Sequence, residues 1–163
     1  MAKLTVLGIG NILMRDDGVG VRVLEAVRDQ RSWPADIEFI DGGAGGMNLI
    51  NVLEAAEKLV VFDSADMKLS PGECRLIGPE QICDLAGEHR ASMHDVPFIE
   101  TLTLVGRFLH RPAEVRILAI QPGVVDHGRE LSDELKAAMP AIVRAAVELV
   151  AEQAGADGQE GGQ

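Results

Sequence analysis

Apolar and polar positions along this chain follow two periods, one suited to strands and one to helices, and the switches between them predict an ordered series of elements. Leu4 to Leu7 is a short apolar run with a β-branched pair, the pattern of a strand buried on both faces of a parallel sheet. Gly8 and Gly10 then allow a sharp turn at its carboxyl end. Val19, Val23, Leu24 and Val27 recur at helical spacing, which predicts a helix from about Gly18 to about Asp29.

Trp33-Pro34 breaks the pattern, and Ile37 to Asp41 reads as a second strand that ends in an acid. Gly42-Gly43-Ala44-Gly45-Gly46 follows and fits neither strand nor helix interior, so the backbone there turns tightly or approaches something closely. Met47, Leu49, Ile50, Leu53 and Ala56 mark a second amphipathic helix, and Lys58 to Asp63 a third buried strand with an acid at its end. Beyond a loop from Ser64 to Gly72, Glu73 to Ile77 reads as a strand suited to an antiparallel edge, and Pro79 to Leu85 as a short helix. A polar loop, Gly87 to Asp95, holds His89, Ser92, His94 and Asp95. Pro97 opens a helix that presents Phe98, Leu102, Val105 and Leu109 on one face. Val115 to Ile120 is another strand, stopped by Gln121-Pro122-Gly123.

The last helix starts near Ser132, a good N-cap with Asp133 and Glu134 in the first turn, and continues through Leu149. Pro140 inside it predicts a kink or a division into two abutting helices. Strands alternating with helices imply an α/β fold, a mostly parallel five-stranded sheet with helices on both faces. One domain spans residues 1–153, and residues 154–163, rich in glycine and polar groups, form a flexible tail.

Composition narrows the function classes. A length of 163 residues suits one domain with a real core, and no apolar run approaches the roughly 20 residues of a membrane span. Met1-Ala2-Lys3 leads straight into strand pattern, which leaves no room for a signal peptide and places the chain in the cytoplasm. Cys74 and Cys83 have no C-x-x-C spacing, in keeping with a reducing compartment. The net charge of −11, with no Lys/Arg cluster, argues against nucleic acid and against an anionic membrane surface as partners.

Candidate chemistry gathers at the strand ends. In a doubly wound sheet, ligands bind outside the carboxyl ends of the strands where the chain's progress across the sheet reverses. With the second and third strands on either side of the first, that crevice lies between the ends of strands one and three. Asp17 follows the first, Asp63 ends the third, and His94 lies in a long loop able to reach the same edge. Two carboxylates and an imidazole with open positions suit a divalent ion such as nickel or zinc. The plainer alternative stays beside it: Asp16 and Asp17 stabilise the start of a helix, Asp63 is a solvated strand-end acid, and His94 is a surface residue.

Other chemistries find less support. No G-x-S-x-G elbow, H-E-x-x-H or Walker loop is present. Ser92-Met93-His94-Asp95 places a hydroxyl, an imidazole and a carboxylate together, but neighbours in sequence rarely point as a relay needs. Gly8-Ile9-Gly10 starts like a dinucleotide fingerprint. Its third glycine would fall at Leu13, and Asp41 lies about 30 residues on where about 20 is usual.

Gly10-Asn11-Ile12-Leu13-Met14-Arg15-Asp16-Asp17-Gly18-Val19-Gly20 resembles the amino-terminal signature of the nickel-iron hydrogenase maturation endopeptidases. Asp41 to Met47 resembles their second glycine motif, Val60-Val61-Phe62-Asp63 their third-strand acid, and Met93-His94-Asp95 their histidine loop. The similarity covers roughly Lys3 to Val150. It implies a three-layer αβα sandwich with a twisted sheet. It also implies an endopeptidase that cuts a C-terminal extension from the precursor of the [NiFe] hydrogenase large subunit once nickel is inserted. The family's metal contacts map onto Asp17, Asp63 and His94, which makes these three the candidate catalytic and metal residues. Some members carry glutamate at the first position, so Asp17 is a ligand shorter by one methylene. Asp41, Gly42, Gly43, Gly45 and Gly46 become candidates for substrate contact, and Asp16 keeps the role of helix-start acid or of support behind the site. Nickel is then carried by the substrate rather than held as a resident cofactor. The alternatives are a nickel-binding maturation chaperone without hydrolysis and a nucleotide-binding Rossmann-like domain.

Overall fold

The computed structural model describes residues 4–43, 49–78, 81, 112 and 114–155. Five strands form one sheet: β1 (Leu4–Gly8), β2 (Ile37–Asp41), β3 (Lys58–Ser64), β4 (Cys74–Ile77) and β5 (Glu114–Ile120), in the order β2-β1-β3-β5-β4. All neighbours are parallel except β4, which pairs antiparallel with β5 at the edge. The second and third strands do flank the first. In register, Gly8 pairs with both Asp41 and Phe62, so three strands end side by side.

The helices cover both faces. α1 (Val19–Gln30) and α3 (Asp133–Gly155) pack on one, burying Val19, Val23, Leu24, Val27, Leu135, Ile142 and Ala146 against Val6, Val60 and Phe62. α2 (Ile50–Ala55) covers the other, where Leu53 meets Leu7, Leu59 and Val61. Residues of β3 thus alternate between two apolar layers, as a central strand with no solvent face requires.

Three sequence expectations change. The division at Pro140 does not occur: α3 is one helix of 23 residues. Pro140 lies on its exposed side, while Leu135, Ile142, Ala146 and Leu149 anchor both halves to the same core, so burial outweighs the missing hydrogen bond. α3 also carries Ala154 and Gly155, overlapping the start of the expected tail. α2 stops before Ala56, whose backbone turns extended to enter β3. The helices expected over Pro79 to Leu85 and Pro97 to Leu109, and the loop Gly87 to Asp95, lie outside the described residues apart from Gln81. Among the described residues, no helix is long and apolar enough to cross a membrane.

Candidate active site

The turn after β1 is stitched to its neighbours by backbone. The Ile9 amide donates to the Phe62 carbonyl at 2.9 Å, Gly10 to Gly43 at 2.7 Å, and Gly42 to Gly8 at 2.8 Å. Gly10 has φ +142°, and a Cβ there would run into the Asp17 carbonyl, so the chain can fold back over itself only with glycine at this position. A 3-10 turn, Arg15–Gly18, then leads into α1 and carries both acids inward.

Two adjacent carboxylates have opposite fates. Asp16 is fully buried and accepts four hydrogen bonds, from the amides of Gly123 (2.9 Å), Val124 (2.8 Å) and Ser132 (2.7 Å) and from the Ser132 hydroxyl (2.7 Å). Burial by itself pushes its pKa up, but the hydrogen bonds from Val124, Ser132 and Gly123 together hold it below the ordinary carboxylate value. Asp16 therefore does not cap α1. It fastens the turn after β1 to the segment after β5 and to the start of α3, where Ser132 caps by accepting from the Leu135 amide at 3.4 Å.

Asp17, 5% exposed, accepts two hydrogen bonds from the described residues: the Asn11 amide on Oδ2 at 3.0 Å and the Ser64 hydroxyl on Oδ1 at 3.4 Å. A carboxylate offers about four lone-pair sites, so Asp17 retains acceptor capacity where Asp16 has spent its own.

The depressed pKa of Asp16 has a measurable consequence. A carboxylate whose folded pKa lies below its unfolded value of about 3.9 adds stability above that value and loses it as pH falls through the folded pKa. Asp16→Asn is expected to cost about 2 to 3 kcal/mol near neutral pH and to flatten the loss of stability in acid. Urea midpoints measured from pH 7 to pH 3 check both parts. Equal midpoints for the variant and the wild type at pH 7 would refute the assignment.

Asp63 lies at the carboxyl end of β3, half-buried and in register with Ala119. Ser64, the next residue, reaches Asp17, so by strand alternation Asp63 points to the α2 side. The link between Asp17 and the end of β3 thus runs through Ser64. Asp41 ends β2, is exposed, and accepts from the Gly43 amide at 2.8 Å, with Gly42 beside it. His94, Gly45 and Gly46 lie outside the described residues.

Sequence reasoning missed three residues here. Ser64 was read as the first loop residue, and Gln121 as a strand stop. Gln121 Oε1 in fact accepts from the amides of Met67 (2.7 Å) and Leu69 (3.2 Å), holding the loop that follows Asp63. Ser132 was read as a cap, but not as a partner of Asp16. An apolar strand that ends in a hydroxyl beside an acid is the one local signal that could have flagged Ser64.

The model of the hydrogenase maturation protease family matches residues 21–149. A hydrogenase expression/formation protein of Azotobacter vinelandii, HoxM, is 31% identical over 152 residues, covering 93% of this chain and 73% of its own. The hydrogenase 2 maturation protease of Escherichia coli K12 is 29% identical over 125 residues, covering 74% and 73%. Among solved structures, the hydrogenase maturating endopeptidase HybD from E. coli superposes with a TM-score of 0.83 at 26% identity, covering 92% of this chain and 93% of that one. The [NiFe] hydrogenase maturation protease HybD from Thermococcus kodakarensis gives 0.72 at 27% identity, covering 90% and 98%. With a family model over most of its length, a relative 31% identical over 93% of it and a superposing endopeptidase structure, this chain belongs to the hydrogenase maturation proteases.

Proposed function

We propose that this protease removes the C-terminal extension of a [NiFe] hydrogenase large-subunit precursor, and that it acts on nickel brought by that precursor through Asp17, Asp63 and His94. The observation that carries the reading is the unspent acceptor capacity of Asp17, a nearly buried carboxylate aimed at the ends of β1 and β3. Its oxygens, with a second carboxylate and an imidazole, make a donor set of the type a borderline divalent ion takes.

The chain's own groups have distinct tasks. The Asn11 amide and the Ser64 hydroxyl fix the Asp17 carboxylate, so little reorganisation is needed when the substrate arrives. Of Asp17 and Asp63, the carboxylate that the substrate's ion leaves with an uncommitted oxygen takes a proton from water as general base. Asp41 pins the Gly43 amide, and Asp41, Gly42, Gly43, Gly45 and Gly46 are the residues assigned to contact with the extension. The substrate's ion supplies Lewis-acid polarisation of the scissile carbonyl.

The nucleotide reading loses its physical basis at the same turn. The Gly10 amide is taken by Gly43 and the Asn11 amide by Asp17, so the donors a phosphate would need are occupied, and two buried acids stand at the start of the helix.

The test incubates the chain with nickel-loaded and nickel-free precursor and follows the precursor's mass. The extension is lost from the loaded form alone, and Asp63→Ala and His94→Ala each slow cleavage by about 100-fold or more. A loaded precursor left uncut where a family relative cuts it would overturn the substrate assignment.

A further inference from the structure

Among the described residues, four large apolar side chains stand open to solvent: Ile12 (36%), Leu13 (51%), Leu76 (56%) and Val125 (51%). Leu76 lies on β4 at the edge of the sheet. The other three occupy two loops held together by backbone. The Gly128 amide donates to the Leu13 carbonyl at 2.9 Å, the Arg15 amide to Gly128 at 2.9 Å, and the Asp16 amide to Val124 at 3.1 Å. Met14 and Gly128 form a parallel bridge. The Asn11 side chain accepts from the Leu13 amide at 3.0 Å, which fixes the tip of the first loop.

A single exposed leucine on a surface is ordinary. Three apolar side chains on two interlocked loops, beside a carboxylate with spare acceptor capacity, are the composition of a binding surface. From this placement we infer that Ile12, Leu13 and Val125 form a docking rim for the apolar stretch of the precursor that flanks the bond to be cut. The inference rests on the protease reading above and names a surface that reading does not use.

Continuity with the site identifies the occupant. Ile12 is bonded directly to Asn11, whose amide holds Asp17, so the rim adjoins the carboxylate that the reading above assigns to the precursor. The backbone of the rim is already fixed, so binding orders little of it and more of the apolar contact is expressed as affinity. Arg15, 3.8 Å from Asp126, gives the rim a charged border, as a water-accessible interface margin has. A second copy of this chain is a poor occupant, because each carries a net charge of −11.

The test measures binding and cleavage of nickel-loaded precursor by Leu13→Asp, Val125→Asp and the milder Leu13→Ser, with Leu76→Asp as an equally exposed control. Leu13→Asp and Val125→Asp each raise Kd and KM by about tenfold, with kcat and melting temperature near wild type, and Leu76→Asp changes neither. Unchanged Kd and KM in both Leu13 variants would overturn the rim, as would a fall in kcat at constant KM. So would a wild-type dimer, seen by sedimentation, that Leu13→Asp dissociates. A wild type that binds precursor with this rim dependence but leaves it uncut supports the rim and overturns the protease reading. A wild type that cuts, with Leu13→Asp cutting equally well, overturns the rim alone.

Discussion

Asp17→Asn is expected to stop removal of the precursor's extension, slowing it by about 1,000-fold or more, while the melting temperature stays near that of the wild type. Size and shape are kept, the amide oxygen can still accept from Asn11, and the new NH2 group can donate to the Ser64 hydroxyl. What is lost is the negative charge and an oxygen able to contact a cation. Asp17→Glu is the complementary variant. Some members of the family that the signature resembles carry glutamate here, so the longer carboxylate is expected to retain measurable cleavage. Mass spectrometry of the precursor over time, with calorimetry on each variant, checks both. Wild-type cleavage by Asp17→Asn would remove Asp17 from the reaction. Loss of melting temperature matched to loss of cleavage would assign Asp17 to the fold instead.

The second large effect is on stability. Gly20→Ala sets a methyl group against the carbonyl oxygens of Phe62 and Ile9, both backbone atoms that cannot swing aside. Phe62's oxygen also accepts the Ile9 amide, so relief would break the joint between β1 and β3 or lift α1 from the sheet. Since α1 supplies Val19, Val23, Leu24 and Val27 to the core, lifting it opens a wide area. The expected cost is about 4 kcal/mol, a large part of the 5 to 15 kcal/mol available to a typical domain. Gly155→Ala meets open space at the end of α3 and should leave the denaturation midpoint unchanged. Equal midpoints for the two variants would show that α1 tolerates a gap from the sheet.

Much of the fold was legible because its signals are local. The apolar run of β1, the helical spacing of Val19, Val23 and Val27, and the terminal acids of β2 and β3 each lie within a few residues, and these four elements formed within one residue of their expected bounds. That β2 and β3 flank β1 followed from the commonest doubly wound arrangement. The partners of Asp16 stayed hidden for the opposite reason. Its partners lie 107 to 116 residues away, and no local pattern separates it from Asp17. Of the kink or division read at Pro140, the division fails because its local cost is visible in sequence, while the core that outweighs it is tertiary. Alternation along β3 gave Asp63 as the end of the strand but hid that Ser64 would be the residue to touch Asp17.

The Asp16 fastening also sets an order of events during synthesis. Its hydroxyl and amide partner, Ser132, emerges from the ribosome 116 residues after it. Until then a carboxylate destined for full burial has at most the Gly123 and Val124 amides to bind, two of its four donors. A nascent chain that already contains Asp17 therefore still lacks the full fastening of the turn that carries it. The turn at the first strand is thus completed by the start of the last helix.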